Sequence, residues 1–118
     1  MKSNLIASLI VAAVGTILSV APLTASAAVD AEAAQALAKK SGCMKCHAID
    51  KTKKGSSFQK TAAKYKGKPD AEAKLIDNIT KAPKVKFEDG TEEDHKVVET
   101  KDMNEIKNLV QWILAQKK

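Results

Sequence analysis

Cys43-Met44-Lys45-Cys46-His47 is the stretch whose reading decides this chain. The spacing C-x-x-C-H is that of a covalent c-type haem attachment site. Two thiols three residues apart sit about one helical turn from each other, close enough to reach two vinyl groups along one side of a haem. The histidine that follows is carried under the iron, where an imidazole nitrogen can serve as the proximal axial ligand. Cys43 and Cys46 are thus the candidate tethers and His47 the candidate iron ligand.

Two close cysteines have other uses. A redox C-x-x-C belongs to a βαβ context, and the residues around this one read as helical. A structural zinc site wants four Cys or His ligands at paired spacings. The chain holds two Cys and two His in all, and His95 is far from the motif in sequence. Haem attachment is the reading that the rest of the chain supports.

Residues 1–27 read as an export signal. Lys2 gives a positive start, Leu5 to Val20 is apolar, and Ala25-Ser26-Ala27 fits the A-x-A cleavage pattern. The apolar run is short for a span of roughly 20 residues, which leaves an uncleaved anchor as the alternative. Cleavage after Ala27 leaves a single domain, residues 28–118, in the periplasm, with no stable membrane insertion. Export agrees with the motif, because covalent haem attachment in bacteria takes place outside the cytoplasmic membrane. A disulfide between Cys43 and Cys46 would close a very short loop and stabilise little.

The mature chain has 91 residues and only four aromatic side chains, Phe58, Tyr65, Phe87 and Trp112. A core that sparse is marginal by itself, and a large flat apolar group at its centre would supply what is missing. Four helices are predicted. The first runs from an Asp30 N-cap to Lys40, with Ala34, Leu37 and Ala38 on one face. The second begins near Ser57 and ends at Gly67, on Phe58, Ala62 and Tyr65. The third starts at Asp70 with Ala71, Leu75 and Ile79 along one side. The fourth starts at Asp102, with Glu105 in capping-box position and the stripe Met103, Ile106, Val110, Ile113. Residues 82–101 are not clearly helical; Val85 and Phe87 alternate, and Asp89-Gly90 is a turn signal.

A helix, then C-x-x-C-H, two short helices, an irregular loop and a terminal helix ending Leu109-Val110-Gln111-Trp112-Ile113-Leu114 resembles the small class I bacterial cytochromes c. The resemblance covers essentially all of residues 29–117. It implies an all-α cytochrome c fold, about four short helices around one covalent haem c with its iron, the first and last helices crossing. It implies one-electron transfer, not enzyme catalysis, as the activity.

In that family the ligand opposite the proximal histidine is usually a methionine on a loop about sixteen residues before the terminal tryptophan. This sequence departs from the pattern. Met103 is only nine residues before Trp112 and falls on the apolar stripe of the last helix, where a core methionine is expected. His95, seventeen residues before Trp112, holds the loop position. It is the expected distal iron ligand, with Met103, an open site or a lysine as alternatives. A second departure is Gly55-Ser56-Ser57-Phe58 where the family often has Gly-Pro. The Ser56 carbonyl can still accept the other N–H of His47 and so orient it.

The net charge of +6 falls to +5 when Lys2 leaves with the signal. Residues 51–68 carry seven lysines and no acid, and residues 88–94 carry Glu88, Asp89, Glu92, Glu93 and Asp94 beside His95. Such a charge separation can orient a protein toward charged redox partners; an ordinary solvated surface is the plain alternative. Nucleic acid is an improbable partner for an exported chain with no arginine and few aromatics. Besides a free electron carrier, two functions stay open: a haem-based sensor or enzyme with a labile sixth position, and a cytochrome subunit of a larger oxidoreductase.

Overall fold

A computed structural model describes residues 28–118 together with Gly15; the expected export signal lies outside the described residues. Helices α1 (Ala31–Lys40), α2 (Phe58–Tyr65), α3 (Ala71–Thr80) and α4 (Met103–Leu114) stand where the sequence periodicity places them. A 3-10 turn, Cys43–Lys45, follows α1.

Local chemistry accounts for the helix starts. The Asp30 carboxylate accepts the Ala33 N–H at 2.9 Å, the Ser57 hydroxyl accepts that of Lys60 at 3.1 Å, and Asp102 accepts that of Asn104 at 2.8 Å. Each satisfies a donor that the first turn leaves free. The capping box expected at Asp102 takes a different form. Glu105 accepts the Thr100 hydroxyl, and the Thr100 oxygen in turn accepts the Asp102 N–H at 3.1 Å. Thr100 therefore relays the bond that a capping box would make directly.

The segment between α3 and α4 is not wholly irregular. Strands β1 (Lys84–Lys86) and β2 (Glu92–Asp94) form an antiparallel hairpin in the register Lys84↔Asp94, Val85↔Glu93, Lys86↔Glu92. The alternation at Val85 and Phe87 and the Asp89-Gly90 turn are its sequence traces. With three residues per strand it is too short to declare itself by periodicity. Among the described residues the fold is mostly helical with this one small sheet.

The core sits where α4 meets the other three helices. Ile106, Leu109, Val110, Trp112 and Ile113 of α4 are buried against Ala34 and Ala38 of α1, Phe58 of α2, and Leu75 and Ile79 of α3. Alanines at 34 and 38 let α1 approach α4 closely. Asn108 fixes the crossing, its amide accepting the Asp30 N–H and donating to the Asp30 carbonyl, both at 2.9 Å. Met103 departs from its expected core position. It opens α4 and is 47% exposed, whereas Ile106, Val110 and Ile113 of the same stripe are buried. Among the described residues no helix is long and apolar enough to cross a membrane.

Candidate haem site

The attachment motif begins where α1 stops. Ser41 and Gly42 turn the chain out of the helix, Gly42 with φ of +75°, a left-handed conformation that costs glycine little. The Cys43 carbonyl then accepts the N–H groups of both Cys46 (3.2 Å) and His47 (2.9 Å). That one tight turn holds the two cysteines and the histidine together. Both cysteines are free thiols and partly buried, and burial pushes the Cys43 thiol above its ordinary value.

His47 is fixed from three sides. Its Nδ1 lies 2.7 Å from the Ser56 carbonyl oxygen, and because a carbonyl only accepts, Nδ1 carries the proton and donates it. Its ring stacks on Phe58, with centroids 5.4 Å apart, and Phe58 meets Trp112 edge-on at 5.5 Å. A stack from α4 through α2 thus backs the imidazole. On the remaining flank Gly55 packs so tightly that a Cβ there would stand 2.5 Å from the His47 Cε1. The Ser56 carbonyl is legible from the sequence as a partner for His47, but the need for glycine beside it is not. A glycine eight residues after the motif histidine was the available signal.

His95 follows β2 directly. Its backbone N–H donates to the Pro83 carbonyl and its Nδ1 to the Lys96 carbonyl, both at 2.8 Å. Three residues on, the N–H of buried Val98 donates to the Ile79 carbonyl at the end of α3, again at 2.8 Å. His95 and His47 face each other with ring centroids 6.2 Å apart and planes inclined at 43°. In both rings Nδ1 is occupied by a carbonyl, so Nε2 is the nitrogen left to meet a metal.

Two cavities adjoin this pair, and His47, Thr61, Asn78 and His95 line both. The larger, about 860 Å³, extends past Tyr65, Val85 and Phe87 to a rim carrying Lys53, Lys54, Lys60, Lys64 and Lys86. The smaller, about 110 Å³, has an apolar wall that includes Cys43, Phe58, Leu75, Leu109 and Ile113. Cys46 and Met103 line neither.

These residues fit a haem. The apolar wall suits a macrocycle, the lysine rim suits its carboxylates, and Cys43 stands at the wall. Two imidazoles on one metal ion, with bonds of about 2 Å and ring radii of about 1 Å, have centres about 6 Å apart. The observed spacing is that distance.

The lysines of residues 51–68 and the acids of residues 88–94 meet across the larger cavity. Lys54 pairs with Glu93 and lies 4.7 Å from the centre of the Phe87 ring, and its bond to Glu93 raises its pKa.

A helical fold braced by crossed terminal helices, with C-x-x-C-H at the wall of such a cavity, defines a small class I c-type cytochrome. The chain belongs to the cytochrome c family, whose profile matches residues 31–117. It is 32% identical over 87 residues to cytochrome c-551 of Pseudomonas aeruginosa, covering 74% of this chain and 80% of that one. Its fold is similar to that of the class 1 cytochrome MtoD from Sideroxydans lithotrophicus ES-1, with 52% identity and a TM-score of 0.74 over 77% of this chain and all of that one. Nitrosomonas europaea cytochrome c552 is similar at 29% identity and a TM-score of 0.56, over 70% of this chain and 99% of that one. Members of this class carry covalent haem c with its iron and pass electrons between redox proteins.

Proposed function

We propose that the chain is an exported one-electron carrier in which Cys43 and Cys46 tether the haem through thioether bonds, His47 is the proximal ligand and His95 the distal one. When bound, the haem supplies a single ferric/ferrous couple. The protein's part is to hold both imidazoles with Nε2 presented and to exclude water along the apolar wall. Ser56 and Lys96 orient the two rings by accepting their Nδ1 protons, which also makes each Nε2 a stronger donor to a metal. The observation that carries this reading is the 6.2 Å spacing of two rings whose Nδ1 atoms are both tied to carbonyls.

Two imidazoles favour the ferric state more than imidazole with a thioether does, so the couple is a low-potential one. Residues 1–27 direct export, and the mature protein, residues 28–118, works in the periplasm without a membrane anchor. Partner docking uses the lysine side of the cavity mouth. Of the lysines there, Lys53, Lys60 and Lys64 line the cavity and make no ion pair among the described residues, so their positive field attracts an acidic surface.

The test is a mass and a spectrum of protein made in a host with cytochrome maturation. The expected mass is residues 28–118 plus one haem, and the ferric near-infrared spectrum is that of two nitrogen ligands. A colourless product at the bare chain mass refutes haem attachment; a ferric band characteristic of sulfur ligation refutes His95.

A further inference from the structure

The loop that bears His95 is tied to the segment just ahead of the attachment motif by one side chain. The Glu99 N–H donates to the Ser41 hydroxyl oxygen at 2.9 Å, joining residues 58 apart in the chain. Ser41 is the C-cap of α1, two residues before Cys43, and only 3% exposed. It is one of just two buried polar side chains among the described residues; the other, Ser57, has an ordinary role as the N-cap of α2. A buried hydroxyl spent on a distant loop amide needs a reason.

We infer that Ser41 is a positioning residue for the distal ligand, an inference that rests on His95 being that ligand. Attachments flank His95 on both sides. Ahead of it, Glu93 holds Lys54, an exposed pair that salt screens. Behind it, Val98 is held by the Ile79 carbonyl and Glu99 by Ser41. The Val98 bond is backbone to backbone and available to any sequence. The Lys96 side chain also lies against Gly42, but among the described residues Ser41 makes the one side-chain hydrogen bond from that flank to the turn that sets Cys43 and His47. Removing the hydroxyl leaves the Glu99 donor without its partner, and the loop then opens more readily. The distance between the two imidazoles is thereby kept from both ends of the motif: Ser56 and Gly55 after it, Ser41 before it.

The experiment measures how fast cyanide displaces the distal ligand of the ferric holoprotein. His95→Ala sets the unhindered rate and is expected to react far faster than wild type. Ser41→Ala is expected to react about two- to tenfold faster than wild type, equally at low and high salt, while Ser41→Thr, which keeps the hydroxyl, stays near the wild-type rate. An unchanged rate in Ser41→Ala, or an equal rise in Ser41→Thr, overturns the inference. Equal rates for His95→Ala and wild type overturn the distal assignment itself, and this inference with it. Amide exchange in the wild-type holoprotein supplies an independent reading if Ser41→Ala yields no holoprotein. The Glu99 amide should exchange at least about tenfold more slowly than those of Lys96 and Val97, and parity overturns the proposal.

Discussion

His47 and His95 stand with their ring centres 6.2 Å apart, each holding its Nδ1 proton on a backbone carbonyl. Neither carbonyl belongs to a helix or strand: Ser56 lies in the loop before α2, and Lys96 follows β2. The pair is thus set by loops that are themselves pinned to rigid elements. Loops held in this way place functional groups while helices supply the frame.

Exchanging the distal ligand tests the pair most directly. A thioether on that side stabilises the ferrous state, so His95→Met should raise the reduction potential, by an amount on the order of 0.1 V. His95→Ala should open the site to carbon monoxide in the reduced protein. Potentiometric titration with spectral monitoring reads the first, and rapid mixing with carbon monoxide the second. An unchanged potential in His95→Met, with carbon monoxide binding in His95→Ala no different from wild type, would remove His95 from the iron.

Gly55 makes a steric prediction. An added Cβ would collide with the His47 ring at 2.5 Å, and the atoms struck belong to a side chain locked by Ser56 and Phe58. Gly55→Ala should lower holoprotein stability in denaturant by about 1–3 kcal/mol and reduce haem incorporation. Gly67→Ala is the comparison. Gly67 sits at positive φ, which Gly55 does not, and has open space around it, so it should show backbone strain of about 1 kcal/mol and normal haem content.

Phe58 links the core to the site, stacking on His47 and meeting Trp112 edge-on. Phe58→Ala should cost about 3–5 kcal/mol, measured by denaturant unfolding of the holoprotein. Phe58→Leu should cost less, because it keeps most of the volume, yet it still removes the ring under the imidazole. A ferric spectrum that changes in both variants marks that ring as a support of His47, beyond its part in packing.

Much of this was legible before any coordinates. Helix periodicity and caps located α1 to α4, because Asp30, Ser57 and Asp102 act through bonds two or three residues away, within reach of a local reading. The same locality lets the C-x-x-C-H spacing be read as one tight turn, which the Cys43 carbonyl closes. The positions that were missed depend on contacts distant in sequence. Met103 matches the apolar stripe of α4, yet no neighbouring element covers the first turn of that helix, so the side chain stays exposed. Gly55 and Ser41 look like ordinary loop residues until the fold sets one against His47 and the other against Glu99.

Acid and base should both weaken the Asp70–Lys74 pair of α3, from opposite directions. The nitrogen and oxygen are 2.8 Å apart, and the hydrogen bond from Lys74 lowers the Asp70 pKa while raising that of Lys74. A carboxylate with a depressed folded pKa contributes above its unfolded value, near about 4, and loses that contribution as pH falls through the folded pKa. An amine with a raised folded pKa contributes below its unfolded value, near about 10.4, and loses it as pH climbs through the folded pKa. The stability difference between wild type and Asp70→Asn should be flat between those limits and vanish beyond them. The pair is exposed, so the plateau should be small and should shrink with added salt. Denaturant unfolding across pH at two ionic strengths measures both features.

The lysine face makes its prediction through kinetics. Lys60 and Lys64 are four residues apart on α2, both line the rim of the larger cavity, and neither has an ion-pair partner among the described residues. A small anionic oxidant such as ferricyanide should be drawn to that edge, so its reaction with the reduced protein should slow as salt is added. Lys60→Glu with Lys64→Glu should cut the low-salt rate about tenfold and flatten the salt dependence, although added negative charge at the haem edge lowers the reduction potential and by itself favours oxidation. A cationic oxidant should show the opposite trend, speeding up in the double variant at low salt. Stopped-flow oxidation with both reagents over a range of ionic strength separates field from driving force. If the two reagents respond alike to the charge reversal, electrons leave by another face of the protein and these lysines are only a solvated surface.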